Sequence, residues 1–193
     1  PFDNCVYAGT TSAGTKVYLN AEVMACDLKI GIGSIVPHIM AGFSGGSKIV
    51  LPGIAACETI LALHSPRETD SFSGTVTGMG ALEHNPRRRD IDEAAAIAGL
   101  DMKIDVLVNL RGETAVLFAG APGPCYTAAL AEARRHYLTP AAENCDIVIA
   151  NSFAKASEAI SGLLVAFPAV KDGGDVVLIA GAPEGQATHY LMG

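Results

Sequence analysis

Short apolar runs alternate with alanine-rich helical stretches along the whole chain, and this alternation limits the fold more than any other feature. Val17-Tyr18-Leu19-Asn20 and residues 27–33 read as strands. Residues 54–63, following Pro52-Gly53, read as a helix with His64 at its end. Residues 91–98 read as a second helix, with Asp90 at the N-cap position where a short acceptor side chain satisfies the first amides. Residues 104–110 and 115–119 predict neighbouring strands. Residues 126–137 predict a long helix whose last turns carry Arg134, Arg135 and His136, where cations suit the helix dipole. Past Thr139-Pro140 come a strand at 146–151, a helix from about Lys155 to Val165, and a strand at 175–180. Strand–helix–strand order favours parallel pairing with helices on the faces. The expectation is an α/β protein with parallel or mixed sheets and flanking helices, in two α/β units, 1–139 and 140–193.

Composition excludes several function classes. Half of the 193 residues are apolar, enough for a substantial core, and the net charge is −7. A broad nucleic-acid surface needs a basic footprint. The only dense basic run, Arg87-Arg88-Arg89, is followed at once by Asp90, Asp92 and Glu93. No apolar run approaches the ~18 residues of a membrane span, and no signal peptide is visible. Cys5, Cys26, Cys57, Cys125 and Cys145 are scattered, odd in number and without a C-x-x-C pair. That pattern fits reduced thiols and a cytoplasmic location better than a disulfide framework or a zinc site. The chain reads as an internal piece of a longer protein, since it opens at Pro1 in what reads as mid-domain.

Chemistry-bearing residues concentrate between Pro37 and His64. His38, the glycine-rich stretch Gly42-Phe43-Ser44-Gly45-Gly46, and Lys48 fall within a dozen residues, and His64 follows. The loop is neither a Walker A motif, because Ser47 separates Gly46 from Lys48, nor a G-x-G-x-x-G dinucleotide fingerprint. That leaves a structural turn or a phosphate cradle. Lys48, flanked by apolar Ile49-Val50-Leu51, is either a snorkelling surface residue or a desolvated amine available for covalent attachment. His38 and His64 taken singly read as structural or surface histidines. Together they do not make a metal site, which needs about four ligands. His84 is a turn histidine that lines a site in one reading; His136 and His189 read as surface residues.

These segments resemble the nickel-pincer lactate racemase family of 2-hydroxyacid racemases and epimerases. The resemblance runs through Gly31-x-Gly33-x-Ile35-x-Pro37-His38, Ala41-Gly42-Phe43-Ser44-Gly45-Gly46-x-Lys48, Leu51-Pro52-Gly53 and His64. It continues through Asn85-Pro86-x-Arg88-x-Asp90-Ile91-Asp92-Glu93-Ala94-Ala95 and Phe118-Ala119-Gly120. It implies that Lys48 carries a thioamide-linked pyridinium-3,5-bisthiocarboxylic acid mononucleotide holding nickel in a sulfur–carbon–sulfur pincer. It implies that His64 is the fourth nickel ligand and His38 a catalytic acid/base, with Gly42, Ser44, Gly45 and Gly46 forming the cofactor-binding loop. The reaction implied is reversible hydride transfer between Cα of a 2-hydroxy acid and the cofactor. The implied partners are that substrate and cofactor-making enzymes, with no nucleic acid or membrane. Residues 1–139 would then be part of an N-terminal cofactor-binding domain, and 140–193 the start of a C-terminal α/β domain.

The chain departs from the family pattern in three places. The upstream acid/base histidine, in a Gly-x-His-Arg type motif, is not in this chain, so the piece alone is expected to be inactive. Ser157-Glu158-Ala159-Ile160-Ser161 stands where the lactate enzyme has a Tyr-Gln-x-x-Lys cluster, which leaves the particular 2-hydroxy acid open. Ala121 and Cys125-Tyr126-Thr127 replace an acidic residue and Ala-His-Arg. The alternative reading is a non-redox module that binds a phosphorylated small molecule through the glycine loop. A nicotinamide dehydrogenase is disfavoured by the absence of a dinucleotide fingerprint.

Overall fold

The computed structural model describes residues 4–65, 78–109, 111–152, 159–183 and 185. The chain divides into two compact units, Pro1–Leu138 and Thr139–Gly193. Both mix helices and strands, as the alternation in the sequence requires.

In the first unit, β1 (Cys5–Thr10) and β2 (Lys16–Asn20) form an antiparallel hairpin that runs into the short helix α1 (Ala21–Met24). Then β3 (Ile30–Ser34) leads to the two-residue ladder of β4 (Pro37–His38) with β5 (Gly42–Phe43) and to a 3-10 turn at Gly46–Ile49. Next come α2 (Cys57–His64), α3 (Pro86–Ala98), β6 (Met102–Val108), β7 (Thr114–Gly120) and α4 (Pro122–Tyr137). The central sheet has the order β3-β6-β7, with β3 parallel to β6 and β6 antiparallel to β7. It is therefore mixed. The five residues between β6 and β7 suffice for a hairpin, whereas a parallel return needs a crossover of a dozen or more.

Helix α4 lays Tyr126, Ala129 and Ala133, spaced three and four apart, onto Leu107 of β6, and this core extends to Ile35 and Phe43. The remaining buried positions on that face of β6 are not apolar. Lys103 and Asp105 are fully buried, and the Lys103 Nζ donates to Asp105 Oδ1 at 2.6 Å and to the Ile104 carbonyl at 2.9 Å. Their partners in register across β3 are Gly31 and Gly33. A Cβ on Gly33 would lie 3.2 Å from the lysine Nζ, and one on Gly31 2.7 Å from Ile49. The two strand glycines thus make room for a lysine that crosses under β3.

Several boundaries differ from the sequence reading. The strand expected at 27–33 is Ile30–Ser34, and the helix expected at 54–63 is Cys57–His64. The helix expected at 91–98 starts at Pro86, and Asn85, not Asp90, is its N-cap. The Asn85 Oδ1 accepts from the amides of Arg87 and Arg88 at 3.0 and 3.1 Å, and Pro86 occupies the position where a missing N–H costs nothing. Asp90 is instead buried inside the unit, where the Thr11 and Thr15 hydroxyls donate to its carboxylate and tie the hairpin turn to α3. Helix α4 begins four residues before the expected Tyr126, with Pro122 in its first turn. The strand β1 was not expected; it is largely exposed and shows no clear alternation.

In the second unit, β8 (Cys145–Asn151), α5 (Ile160–Ala166) and β9 (Val170–Ile179) form a right-length β-α-β crossover, and the strands pair in parallel. Gly162 brings α5 close to the sheet: a Cβ there would lie 3.3 Å from Leu178 and 3.6 Å from Ala150. Lys155, Ser157, Glu158, Gln186 and His189, singled out in the sequence, lie outside the described residues.

Candidate active site

β3 ends at Ser34, and the chain leaves the sheet toward His38. The Ser44 hydroxyl closes this excursion: it accepts from the Val36 amide and donates to the Ser34 carbonyl, both at 2.9 Å. The ladder of Pro37–His38 with Gly42–Phe43 then aims the His38 ring back over the 3-10 turn. There His38 Nε2 meets Lys48 Nζ at 2.9 Å. On the other side of the ring, Nδ1 accepts from the amides of Met40 and Ala41 at 3.2 and 3.1 Å. Both side chains are half-buried.

The loop glycines are required by packing of the protein against itself. Gly42 has φ +72°, and a Cβ there would lie 2.4 Å from the Ala81 carbonyl oxygen. Gly45 has φ +75°, and its Cβ would lie 2.5 Å from Ile35. Gly46 has φ +54°, and its Cβ would lie 2.6 Å from both Arg88 Nη2 and the Tyr126 ring. The Gly46 amide donates to the Asp105 carboxylate at 3.0 and 3.2 Å, and the Lys48 amide donates to the Gly45 carbonyl at 3.2 Å. A phosphate cradle needs amides aimed at the ligand and no anion behind them. Here a buried carboxylate already occupies the Gly46 amide, which weighs against the phosphate-module reading. Gly46→Ala forces a side chain into the left-handed region and against Arg88 and Tyr126. It is expected to lower stability by about 2–4 kcal/mol, read as a lower urea midpoint.

His64 is the last residue of α2 and is half-buried. Its Nδ1 lies 2.8 Å from the Ile60 carbonyl, one helical turn back. That oxygen only accepts, so Nδ1 carries a proton, and in the neutral ring the lone pair falls to Nε2. A backbone carbonyl orienting the non-ligating nitrogen is the usual support of a metal-binding histidine. Among the described residues no cluster of three His, Cys, Asp or Glu side chains could hold a metal.

The N-terminal turn of α3 joins these segments, and sequence reasoning missed it. Asn85 Nδ2 donates to the carbonyls of Met40 and Ala81, both at 2.9 Å, and so holds the His38 loop. The Arg87 guanidinium donates to the Leu63 carbonyl and, at 3.0 Å, to that of Ser65, the residues on either side of His64. Arg88 donates to the Gly45 carbonyl at 3.4 Å, lies over the Tyr126 ring at 3.9 Å, and pairs with Asp92 at 3.0 Å. Arg87 and Arg88 are only 2% and 5% exposed, so these two members of the basic run are buried structure, while Arg89 is exposed. The available signal was Asn85-Pro86, a cap followed by a first-turn proline. Burial pushes the Tyr126 phenol up, outweighing the nearby Arg88, and it remains a hydrogen-bond donor to the Phe43 carbonyl.

His84, with φ +59°, lines a shallow groove on α3 with Arg88, Arg89, Asp92 and Glu93. Neither His38, Lys48 nor His64 lines that groove. His136 is exposed on α4, and its Nε2 lies 3.2 Å from the Val108 carbonyl.

The mixed α/β unit thus ties a lysine–histidine pair and an oriented second histidine to one helix start, which makes this the candidate site of the chain. Comparison with known proteins makes the class specific. Residues 2–74 match the lactate racemase N-terminal domain. The chain is 31% identical over 188 residues to the lactate racemase of Thermoanaerobacterium thermosaccharolyticum, covering 95% of this chain and 43% of that protein. It is 32% identical over 185 residues to that of Lactiplantibacillus plantarum, covering 93% and 43%. The solved lactate racemase apoprotein from T. thermosaccharolyticum superposes with a TM-score of 0.85 at 30% identity, over 97% of this chain and 45% of that one. A Thermotoga maritima protein shares the fold, with a TM-score of 0.67 at 20% identity over 90% of this chain and 48% of that one. The chain is thus similar to lactate racemases over nearly its whole length, and its first part matches their N-terminal domain. It spans less than half the length of the curated relatives it matches.

Proposed function

We propose that this chain is the cofactor-bearing part of a racemase or epimerase of a 2-hydroxy acid. Residues 1–139 would belong to the cofactor domain and 140–193 would begin the second. The contact between His38 Nε2 and Lys48 Nζ supports the reading, because it joins an imidazole and a lysine side chain that both belong to the motifs shared with that family. The donor set suits a nickel-pincer pyridinium mononucleotide: an amine for covalent attachment at Lys48 and an imidazole lone pair at His64 Nε2. When bound, that group supplies a hydride acceptor for the substrate's Cα.

The chain's own residues divide the remaining work. Lys48 holds the group through its side-chain nitrogen. The Gly42–Gly46 segment with Ser44 forms the wall against which it lies, a wall kept stiff by Asp105 and Arg88. Met40 and Ala41 fix the His38 ring, so that Nε2 is the atom exchanging a proton with the substrate hydroxyl. Arg87 fixes the end of α2, and with it His64. Cofactor-making enzymes would be the partners, in the cytoplasm. No described helix is long and apolar enough to cross a membrane.

The test is intact mass and metal analysis of the protein produced together with cofactor-making enzymes. The expected result is one adduct per chain, mapped by peptide sequencing to Lys48, with one nickel. A protein bearing neither under those conditions rules the reading out.

A further inference from the structure

We propose that Asp105 is a positioning residue for Lys48: together with Arg88 it locks the Gly45–Gly46 peptide in one orientation, and that peptide sets the direction in which the lysine leaves its turn. The biological meaning rests on the reading of Lys48 as the point of attachment. The structural half is tested without any cofactor.

Lys103 and Asp105 form a fully buried ion pair. Taking two charges out of water is costly, and packed apolar side chains of similar volume usually stabilise a fold as well or better. Stability alone gives no reason for the pair, but its geometry does. Lys103 Nζ donates to Asp105 Oδ1 at 2.6 Å and to the Ile104 carbonyl at 2.9 Å, so the carboxylate is pinned from beneath. On its other side it accepts from the Gly46 amide, which lies 3.2 Å from Oδ1 and 3.0 Å from Oδ2.

The motif glycines make room for this pair. A Cβ on Gly45 would lie 3.0 Å from Asp105 Oδ1. One on Gly33 would lie 3.2 Å from Lys103 Nζ, and one on Gly31 3.2 Å from Lys103 Cδ. Gly31 and Gly33 stand opposite Lys103 and Asp105 in the register of β3 with β6. Glycines distant in the sequence therefore border one buried pair of charges.

The Gly45 carbonyl and the Gly46 amide belong to the same peptide group. The amide end faces the Asp105 carboxylate, and the carbonyl end accepts from Arg88 Nη1 at 3.4 Å. Glycine on both sides leaves a peptide free to turn over, since neither residue has a Cβ to forbid it. Here a turn-over would point the carbonyl at a carboxylate and the amide at a guanidinium. The Lys48 amide donates to the same Gly45 carbonyl at 3.2 Å, and Lys48 is the third residue of the 3-10 turn that begins at Gly46. Fixing this one peptide thus fixes the backbone from which the lysine side chain departs.

Hydrogen exchange, read amide by amide by NMR on the purified chain, tests the lock. Intact mass reads adduct formation at Lys48 in the full-length protein made with cofactor-making enzymes. Lys103→Met/Asp105→Leu removes both buried charges and fills their space, but offers the Gly46 amide no acceptor. Lys103→Met/Asp105→Asn keeps a side-chain oxygen there. In the leucine variant Gly46 and Lys48 should exchange about 10–100-fold faster than in wild type, the worth of a charge-assisted hydrogen bond, while Ala129 of α4 and Leu107 of β6 stay unchanged. The adduct should fall in parallel. The asparagine variant should recover most of both, though not all, because a neutral acceptor bonds less tightly. Wild-type exchange in the leucine variant, acceleration spread evenly to Ala129 and Leu107, equal behaviour of the two variants, or loosened amides with an undiminished adduct each overturns the proposal. If the leucine variant does not fold, the asparagine variant decides: Gly46 should exchange faster there than in wild type, and equal rates overturn the lock. If no protein acquires an adduct, wild type included, the racemase reading falls, and the exchange rates alone judge whether Asp105 holds the turn.

Discussion

Lys48→Arg is expected to abolish covalent loading completely in the full-length enzyme, and racemisation with it. Arginine keeps a positive charge, but its guanidinium stays protonated at any accessible pH and is not an equivalent nucleophile. Two companion variants differ from it in kind. His64→Ala keeps the amine and so should keep the adduct, while nickel retention falls, because one of four ligands is lost. His38→Ala should retain some adduct and the metal while turnover falls by about 10²–10⁴-fold, the usual range for a lost acid/base. Intact mass, metal content and turnover measured on the three variants separate these outcomes. Full activity in Lys48→Arg rules out the tethered mechanism, whatever the other two show.

The second large effect falls on stability. Asp105→Ala leaves the Lys103 ammonium, fully buried, with only the Ile104 carbonyl, and strips the Gly46 amide of its acceptor. Removing one partner of a buried pair typically costs about 3–5 kcal/mol, a large part of the total stability of a domain. A sharply lower urea midpoint is expected. Adding Lys103→Met to Asp105→Ala removes the stranded charge and should recover most of the loss, since an apolar chain of similar length fills the space under Gly31 and Gly33. A double variant as unstable as the single one would show that the Gly46 contact, and not the buried lysine, is what matters.

Much of this fold was legible because local signals and tertiary structure agree. The apolar cores of β6, β7 and β8 stand out, and α4 carries its alanines at helical spacing. The failures share one cause. Asp90 looks like a cap from its neighbours in sequence, but Thr11 and Thr15, far away in the chain, claim its carboxylate. Arg87 and Arg88 look solvated beside three acids, yet their guanidinium groups reach backbone carbonyls of distant loops. In β6 the polar residues Lys103 and Asp105 lie on the buried face, the reverse of the usual alternation. No local pattern announces a polar group whose partner is brought in by the fold.

The contact of His38 with Lys48 was legible for a different reason. His38, Lys48 and the glycines between them are close in sequence, so a single loop closure by Ser44 is enough to bring the histidine onto the lysine. What remained hidden was the division of labour among the glycines. Their spacing looked like an opening for a ligand, whereas Ala81, Ile35, Arg88 and Tyr126 occupy the space that side chains would need.

Asn85, Arg87 and Arg88 lie within one helical turn, and between them they grip the His38 loop, the end of α2 and the glycine turn. Three stretches of chain thus share a single fastening. Local opening of a protein proceeds in cooperative blocks, and here the block boundary is drawn around the chemistry. If the start of α3 frays, His38, Lys48 and His64 lose their support together; while it holds, that support does not depend on the largely exposed strand β1. The assembly behaves as one latch, and its integrity is all-or-none.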